Sequence, residues 1–140
     1  MRKNIQLAYP LEEKRLKSWT PPYLTQPKLD GIRCRREANS PIILSSEENP
    51  IWGVPHINHL IRKCKLNGVE LDGELYKHGW SFEKINGICS RDVNLHHESE
   101  LMEYHIFDII NDKVQGERTL ELLKLSEKFI GPIKMVPYTI

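Results

Sequence analysis

The sequence predicts an α+β domain with mixed and antiparallel sheets and flanking helices. Three observations predict it. Strand-type segments at 32–36 and 42–44 are separated by turn residues, and apolar residues recur at 3-4 spacing over 56–64. No regular β-α-β beat follows, which separates the chain from doubly wound folds.

The elements follow in order. Over residues 5–23, Pro10, Pro21 and Pro22 surround the charged stretch Glu12-Glu13-Lys14-Arg15-Leu16-Lys17, long enough for a turn or two of helix. The residue before each proline is pushed toward extended backbone. Strands are expected at 24–28 and 32–36, then a turn over Ala38-Asn39-Ser40-Pro41, then a partner strand at 42–44 that closes an antiparallel hairpin. Residues 45–50 form a polar loop.

Pro55 suits a first helical position, where its missing N–H costs nothing. A helix over 56–64 carries Ile57, Leu60, Ile61 and Cys64 on one side, and Asn67-Gly68 stops it. Residues 69–71 and 74–76 read as two short strands divided by Asp72-Gly73, a turn-type pair. Ser81 is the expected N-cap of a helix over 82–89; Lys84 in the third position after it makes no capping box. Residues 101–110 form a strand that becomes buried toward Ile106-Phe107 and carries Asp108 at its end. Thr119 is the expected cap of a helix over 120–129 bearing Leu122, Leu123, Leu125 and Phe129, Gly131-Pro132 ends it, and 133–138 is the last strand.

The 140 residues are 39% hydrophobic and 28% charged, which fits one soluble domain with a real core and leaves little room for a second. The longest apolar runs, such as Pro41-Ile42-Ile43-Leu44, fall far short of the about 20 residues a membrane helix needs. Met1-Arg2-Lys3 leads into no apolar stretch or small-residue cleavage site, so no secretory signal is expected. Cys34, Cys64 and Cys89 match no close metal-ligand pair and read as reduced structural cysteines of a cytoplasmic protein. Residues 1–36 hold nine Lys or Arg against three Asp or Glu, and 37–140 hold eleven against sixteen, giving +6 and −5. A basic opening segment suits a polyanionic substrate.

The run Lys28-Leu29-Asp30-Gly31-Ile32-Arg33 places a lysine and an arginine on opposite sides of a tight turn, where both can address one pocket. A lysine amine attacks only when deprotonated, and a neighbouring cation or partial burial favours that state. Arg33 is the candidate neighbour, and its planar fork also matches a phosphate. Glu70, Glu74 and Asp108 are carboxylates in apolar settings, suited to hold Mg²⁺ or a ribose hydroxyl. The sequence contains no P-loop and no glycine fingerprint of the dinucleotide type. Its six histidines, including His56 with His59 and the pair His96-His97, show no convincing ligand spacing with a carboxylate, so no histidine metal site is expected. The residues alone stop at a small α+β domain, with phosphate binding as one reading of this stretch and a surface lysine in a turn beside solvent-facing Glu70 and Glu74 of an edge hairpin as the other.

Gln26-Pro27-Lys28-Leu29-Asp30-Gly31-Ile32-Arg33 resembles the first motif of covalent nucleotidyltransferases, especially the small ATP-dependent DNA ligases of phages. Further stretches follow in family order: Ile51-Trp52-Gly53-Val54-Pro55-His56-Ile57, Glu70-Leu71-Asp72-Gly73-Glu74-Leu75-Tyr76, Ser81-Phe82-Glu83-Lys84-Ile85 ahead of Ser90-Arg91, and Tyr104-His105-Ile106-Phe107-Asp108-Ile109. The resemblance covers roughly positions 6–138.

It implies an ATP-grasp-like nucleotidyltransferase (adenylation) domain. By resemblance, Lys28 attacks the α-phosphorus of ATP and carries AMP, which passes to the 5′-phosphate of a DNA nick before the 3′-hydroxyl displaces it. Arg33 contacts phosphate or ribose, Glu74 lies near the sugar and Mg²⁺, Phe107 stacks on adenine, and Gln26 and Pro27 meet the adenine edge. ATP and Mg²⁺ are the implied cofactors. Nicked double-stranded DNA is the implied partner, in the cytoplasm of a bacterial or phage-infected cell.

Two departures stand out. The family's Ser-Arg after the hairpin is replaced by Ser45-Ser46-Glu47-Glu48, which removes a charged phosphate donor and adds two negative charges. The family's fourth and fifth motifs, and the oligonucleotide-binding barrel after them, would lie beyond Ile140. Residues 1–140 are therefore expected to be a partial adenylation domain, inactive alone. An RNA ligase or capping guanylyltransferase shares the lysine motif and stays open as an alternative. So does a nucleotide- or DNA-binding remnant, or one part of a split enzyme completed by a second chain.

Overall fold

A computed structural model describes residues 25–138. The helical turns expected within 12–17, the extended chain around them, and Leu24 lie outside those residues. Five strands form one sheet: β1 (Ile32–Arg36), β2 (Leu44–Ser45), β3 (Leu71–Tyr76), β4 (Glu103–Ile109) and β5 (Ile133–Met135), in the order β2-β1-β3-β4-β5. All neighbours are antiparallel except β4 and β5, which run parallel. Three helices accompany the sheet: α1 (Pro55–Lys63), α2 (Phe82–Cys89) and α3 (Gln115–Leu125). The expected α+β class with a mixed sheet is what the chain adopts.

Alternation divides the sheet into two faces. Cys34, Leu71, Leu75, Tyr104 and Ile106 point to a core shared with Ile57 and Ile61 of α1, Ile85 and Ile88 of α2, and Leu122 of α3. Each fully buried Leu or Ile contributes roughly 1.5–3 kcal/mol to holding helices on sheet. Tyr104 is buried whole, and its hydroxyl donates to the Cys34 carbonyl at 3.0 Å, tying β4 to β1 across β3. The opposite face carries Arg33, Arg35, Asp72, Glu74, Glu103 and His105, whereas Arg36 lies on the core side and donates to the Leu66 and Val69 carbonyls.

β1 and α2 occupy their expected bounds, and the Ser81 hydroxyl accepts the Lys84 N–H as the cap. Elsewhere local signals gave way to tertiary contacts. The expected strand at 24–28 is irregular from Gln26 to Lys28, with only Thr25 in a bridge. The partner strand of the hairpin shifts to Leu44–Ser45, because the Ile43 N–H donates to Asn58 Oδ1 and its carbonyl accepts the Ile51 N–H. α1 ends one residue early, at Lys63 with Cys64 as its cap, and Lys65 takes a positive φ before Asn67-Gly68 is reached.

The two short strands expected at 69–71 and 74–76 are instead one strand, β3. Asp72 and Gly73 form no turn. Asp72 is buried and ion-paired, and Gly73 is needed because a Cβ there would lie 2.4 Å from the His105 carbonyl oxygen. β4 starts at Glu103, since Ser99–Leu101 closes a 3₁₀ turn first. α3 begins at Gln115, four residues before the expected cap. Thr119 sits inside it, and its hydroxyl donates to the Gln115 carbonyl, a bond that a helix-interior threonine can make as readily as a capping one. Phe129 falls outside the helix, after the 3₁₀ turn Ser126–Lys128. β5 is short because Pro137 lacks an N–H to continue it. Among the described residues no helix is long and apolar enough to cross a membrane.

Candidate active site

The polar face of the sheet assembles the site. Strand register places Arg33, Glu74, His105 and Lys134 side by side across β1, β3, β4 and β5. Gly31, just before β1, lies so close to β3 that a Cβ would meet the Leu75 carbonyl oxygen at 2.1 Å. Its N–H donates to Glu74 Oε2 at 3.0 Å. A side chain on β3 thus holds the backbone only three residues after Lys28, within at most about 11 Å of chain.

Arg33 forms a two-pronged pair with Asp72, Nε to Oδ1 at 2.8 Å and Nη2 to Oδ2 at 2.5 Å. The same guanidinium lies over the Phe107 ring, 4.8 Å from its centroid. Phe107 shares strand parity with His105 and so faces the site, and a β-bulge follows at this point: Asp72 pairs with Asp108 and Gly73 with Ile106, so Phe107 is an extra residue with no partner on β3. The residue whose facing the bulge changes is Asp108, which strict alternation would have turned to the core side and which instead pairs with Asp72.

Burial pushes the Glu74 carboxyl above its ordinary value, opposed by the Gly31 N–H and by Arg33. Burial also pushes Asp72 upward, with the Arg33 pair opposing it. Arg33 is raised in turn: burial works against its charge, but the Asp72 hydrogen bonds and charge outweigh it.

Of the residues singled out from sequence, the structure brings Arg33, Glu74 and Phe107 together, with Lys28 tethered nearby through Gly31. Gln26, Pro27 and Lys28 themselves are exposed on the approach to β1. Arg33 is engaged with Asp72, leaving three of its five N–H donors for a ligand. Asp108 does not face the site as an open ligand: Arg118 Nε donates to its Oδ1 at 2.9 Å. Glu70 lies 3.6 Å from Arg35, and Glu48, which stands in the stretch where the resemblance expects an arginine, approaches Arg35 at 3.6 Å from the other side.

Sequence reading missed Asp72 as a site residue, and also Arg118 and His105. For Asp72 a signal existed, since it shares strand parity with Glu74. His105 Nε2 donates to Glu103 Oε1, 3.0 Å away, and the ring packs edge-on against Tyr76. Contrary to expectation, one histidine cluster does gather around a carboxylate: His96, His97 and Glu98 place ligand-type atoms within 4.8 Å of one another. Lys84 Nζ already occupies Glu98 Oε1 at 2.8 Å, and His96 Nδ1 accepts the Glu98 N–H.

The donor set at Glu74 fits a hard cation. One carboxylate oxygen is held by Gly31, leaving the other as a single oxygen ligand, and Mg²⁺ usually takes only one or two carboxylates beside water and substrate phosphates. Asp72 does not fit that role, because both its oxygens serve Arg33.

No protein-family model and no curated protein sequence matches the chain. Solved structures do. The Chlorella virus DNA ligase-adenylate is 23% identical, with 95% of this chain and 48% of that one aligned at a TM-score of 0.67. This is the fold of the DNA ligase adenylation domain. A Lig E DNA ligase aligns over 83% of this chain and 43% of its own, at 21% identity and a TM-score of 0.63. The ATP-dependent DNA ligase of bacteriophage T7, solved in complex with ATP, aligns over 83% and 48%, at 14% identity and a TM-score of 0.53. The chain spans less than half the length of each of these ligases.

Proposed function

We propose that this chain is the first part of the adenylation domain of an ATP-dependent DNA ligase. The carrying observation is the Gly31–Glu74 bond, which ties the Lys28 segment to a strand whose neighbours present Arg33 and Phe107. In this reading the Lys28 amine, as the free base, attacks the α-phosphorus of ATP. A nitrogen–phosphorus bond forms, the bond from the α-phosphorus to the bridging oxygen breaks, and pyrophosphate leaves. Arg33 contributes its remaining donors to phosphate or ribose, Phe107 offers its ring to adenine, and Gln26 and Pro27 flank the base. Glu74 is the ligand for Mg²⁺, which when bound offsets charge on the departing phosphates. AMP then passes to the 5′-phosphate of nicked double-stranded DNA, and the 3′-hydroxyl seals the break.

The acidic Ser45-Ser46-Glu47-Glu48 stretch weakens the case for strong nick binding, since Glu48 faces Arg35 where a phosphate contact is expected. Incubating the chain with α-labelled ATP and Mg²⁺ tests the reading: a covalent adduct that disappears in Lys28→Ala supports it. GTP consumed in preference to ATP would move the assignment to capping chemistry.

A second reading, that a further chain or further residues complete the pocket, is favoured by the aligned share of the solved ligases, 48% for the Chlorella virus enzyme. Under it the chain alone binds nucleotide without turnover. Adding a fragment that supplies the family's later motifs restores adenylation.

A further inference from the structure

A second charged arrangement lies behind the candidate site. Asp72 and Asp108 are direct cross-strand partners, with Cα atoms about 4.5–5.5 Å apart. Both are buried, at 1% and 8% exposure. Two carboxylates so placed repel unless each has its own cation. Asp72 has Arg33, and Asp108 has Arg118. Arg118 is itself clamped to the start of α3, its Nη1 donating to the Lys113 carbonyl at 2.6 Å and its Nη2 to Gln115 Oε1 at 2.7 Å. An unbroken series Arg33, Asp72, Asp108, Arg118 thus runs from the site to α3, and Phe107 is the residue next to Asp108.

We infer that Arg118 is a positioning residue for Arg33. By neutralising Asp108 it leaves Arg33 with Asp72 as its acidic partner, and so keeps the Arg33 guanidinium over Phe107. Without Arg118, Asp108 is an uncompensated buried charge beside Asp72, and Arg33 is the cation already placed to be shared between them. Sharing turns its fork away from the ring. The consequence for nucleotide binding rests on the proposed ligase reading; the geometry does not.

The test follows the Arg33 Nε–H by nitrogen-15 NMR in the whole chain, with an ATP titration in parallel. Arg118→Ala should shift or broaden the Arg33 signal and weaken ATP binding about tenfold, the scale of one charge-assisted hydrogen bond. Arg118→Ala combined with Asp108→Asn should restore both, because the stray charge is gone. A merely structural Arg118 would lower the melting temperature without such rescue. If Arg118→Ala does not fold, Arg118→Gln, which removes the charge but keeps a polar side chain of similar reach, should still shift the signal. An Arg33 signal unchanged in a folded Arg118 variant overturns the inference, as does failure of Asp108→Asn to restore it. If the wild-type chain binds no ATP, the ligase reading of this chain fails, while the Arg33 signal still decides the role of Arg118.

Discussion

Arg33 and Asp72 bind through two parallel hydrogen bonds, and the Asp72 side chain is only 1% exposed. Removing the arginine leaves a carboxylate buried with no counter-charge. Arg33→Met should therefore lower the unfolding free energy by about 3–5 kcal/mol, and Arg33→Met with Asp72→Leu should recover most of it. Urea unfolding measures both; a single variant within about 1 kcal/mol of wild type would show that the pair is not the clamp described.

Gly31 is a contact position. A methyl group there meets the Leu75 carbonyl oxygen, which is backbone and cannot swing aside. Gly31→Ala should cost about 1–3 kcal/mol. Gly116→Ala, in α3 with nothing within 4 Å of the added carbon, should instead raise stability by about 0.4–1 kcal/mol. Equal effects from the two substitutions would contradict the close approach.

Glu74 makes a prediction about pH. Burial raises its folded pKa above the ordinary 4.5, so the folded state holds the proton more tightly than the unfolded chain does. That contribution to stability is fully present below about 4.5 and is lost as pH rises through the folded pKa. Glu74→Gln stays neutral throughout, so its melting temperature relative to wild type should climb as pH is raised from 4 toward 7. A difference independent of pH would be inconsistent with the upward shift.

Phe107 should matter to nucleotide binding more than to folding. Base stacking on an aromatic ring is worth about 1–3 kcal/mol by alanine substitution. Phe107→Ala should weaken ATP affinity by that amount in a calorimetric titration, while Phe107→Tyr retains it. Equal affinity in Phe107→Ala would remove the ring from the nucleotide site.

The thiols offer a test of packing. Cys34, Cys64 and Cys89 are all buried, and burial pushes the Cys89 thiol up to about 12. A thiol-specific reagent at pH 8 should react slowly with the native chain and quickly with all three cysteines after denaturation. Rapid reaction at Cys89 in the folded state would argue against its placement at the end of α2.

The sequence by itself determined the α+β class, the bounds of β1 and α2, and Lys28, Arg33, Glu74 and Phe107 as the residues of interest. Those readings rest on neighbours in the chain: alternation over Ile32–Arg36, a serine hydroxyl three residues from the N–H it accepts, and ordered motifs. The tertiary structure alone decided what Asp72 and Gly73 are. As a dipeptide they signal a turn, but Asp72 is held in a strand by an arginine 39 residues away and Gly73 by the backbone of β4. It alone decided that a bulge after Phe107 sets Asp108 opposite Asp72, and that Asp108 belongs to Arg118 rather than to a ligand. A buried charge is defined by its partner, and the partner's place depends on strand register, which no local pattern around Asp72 or Asp108 encodes.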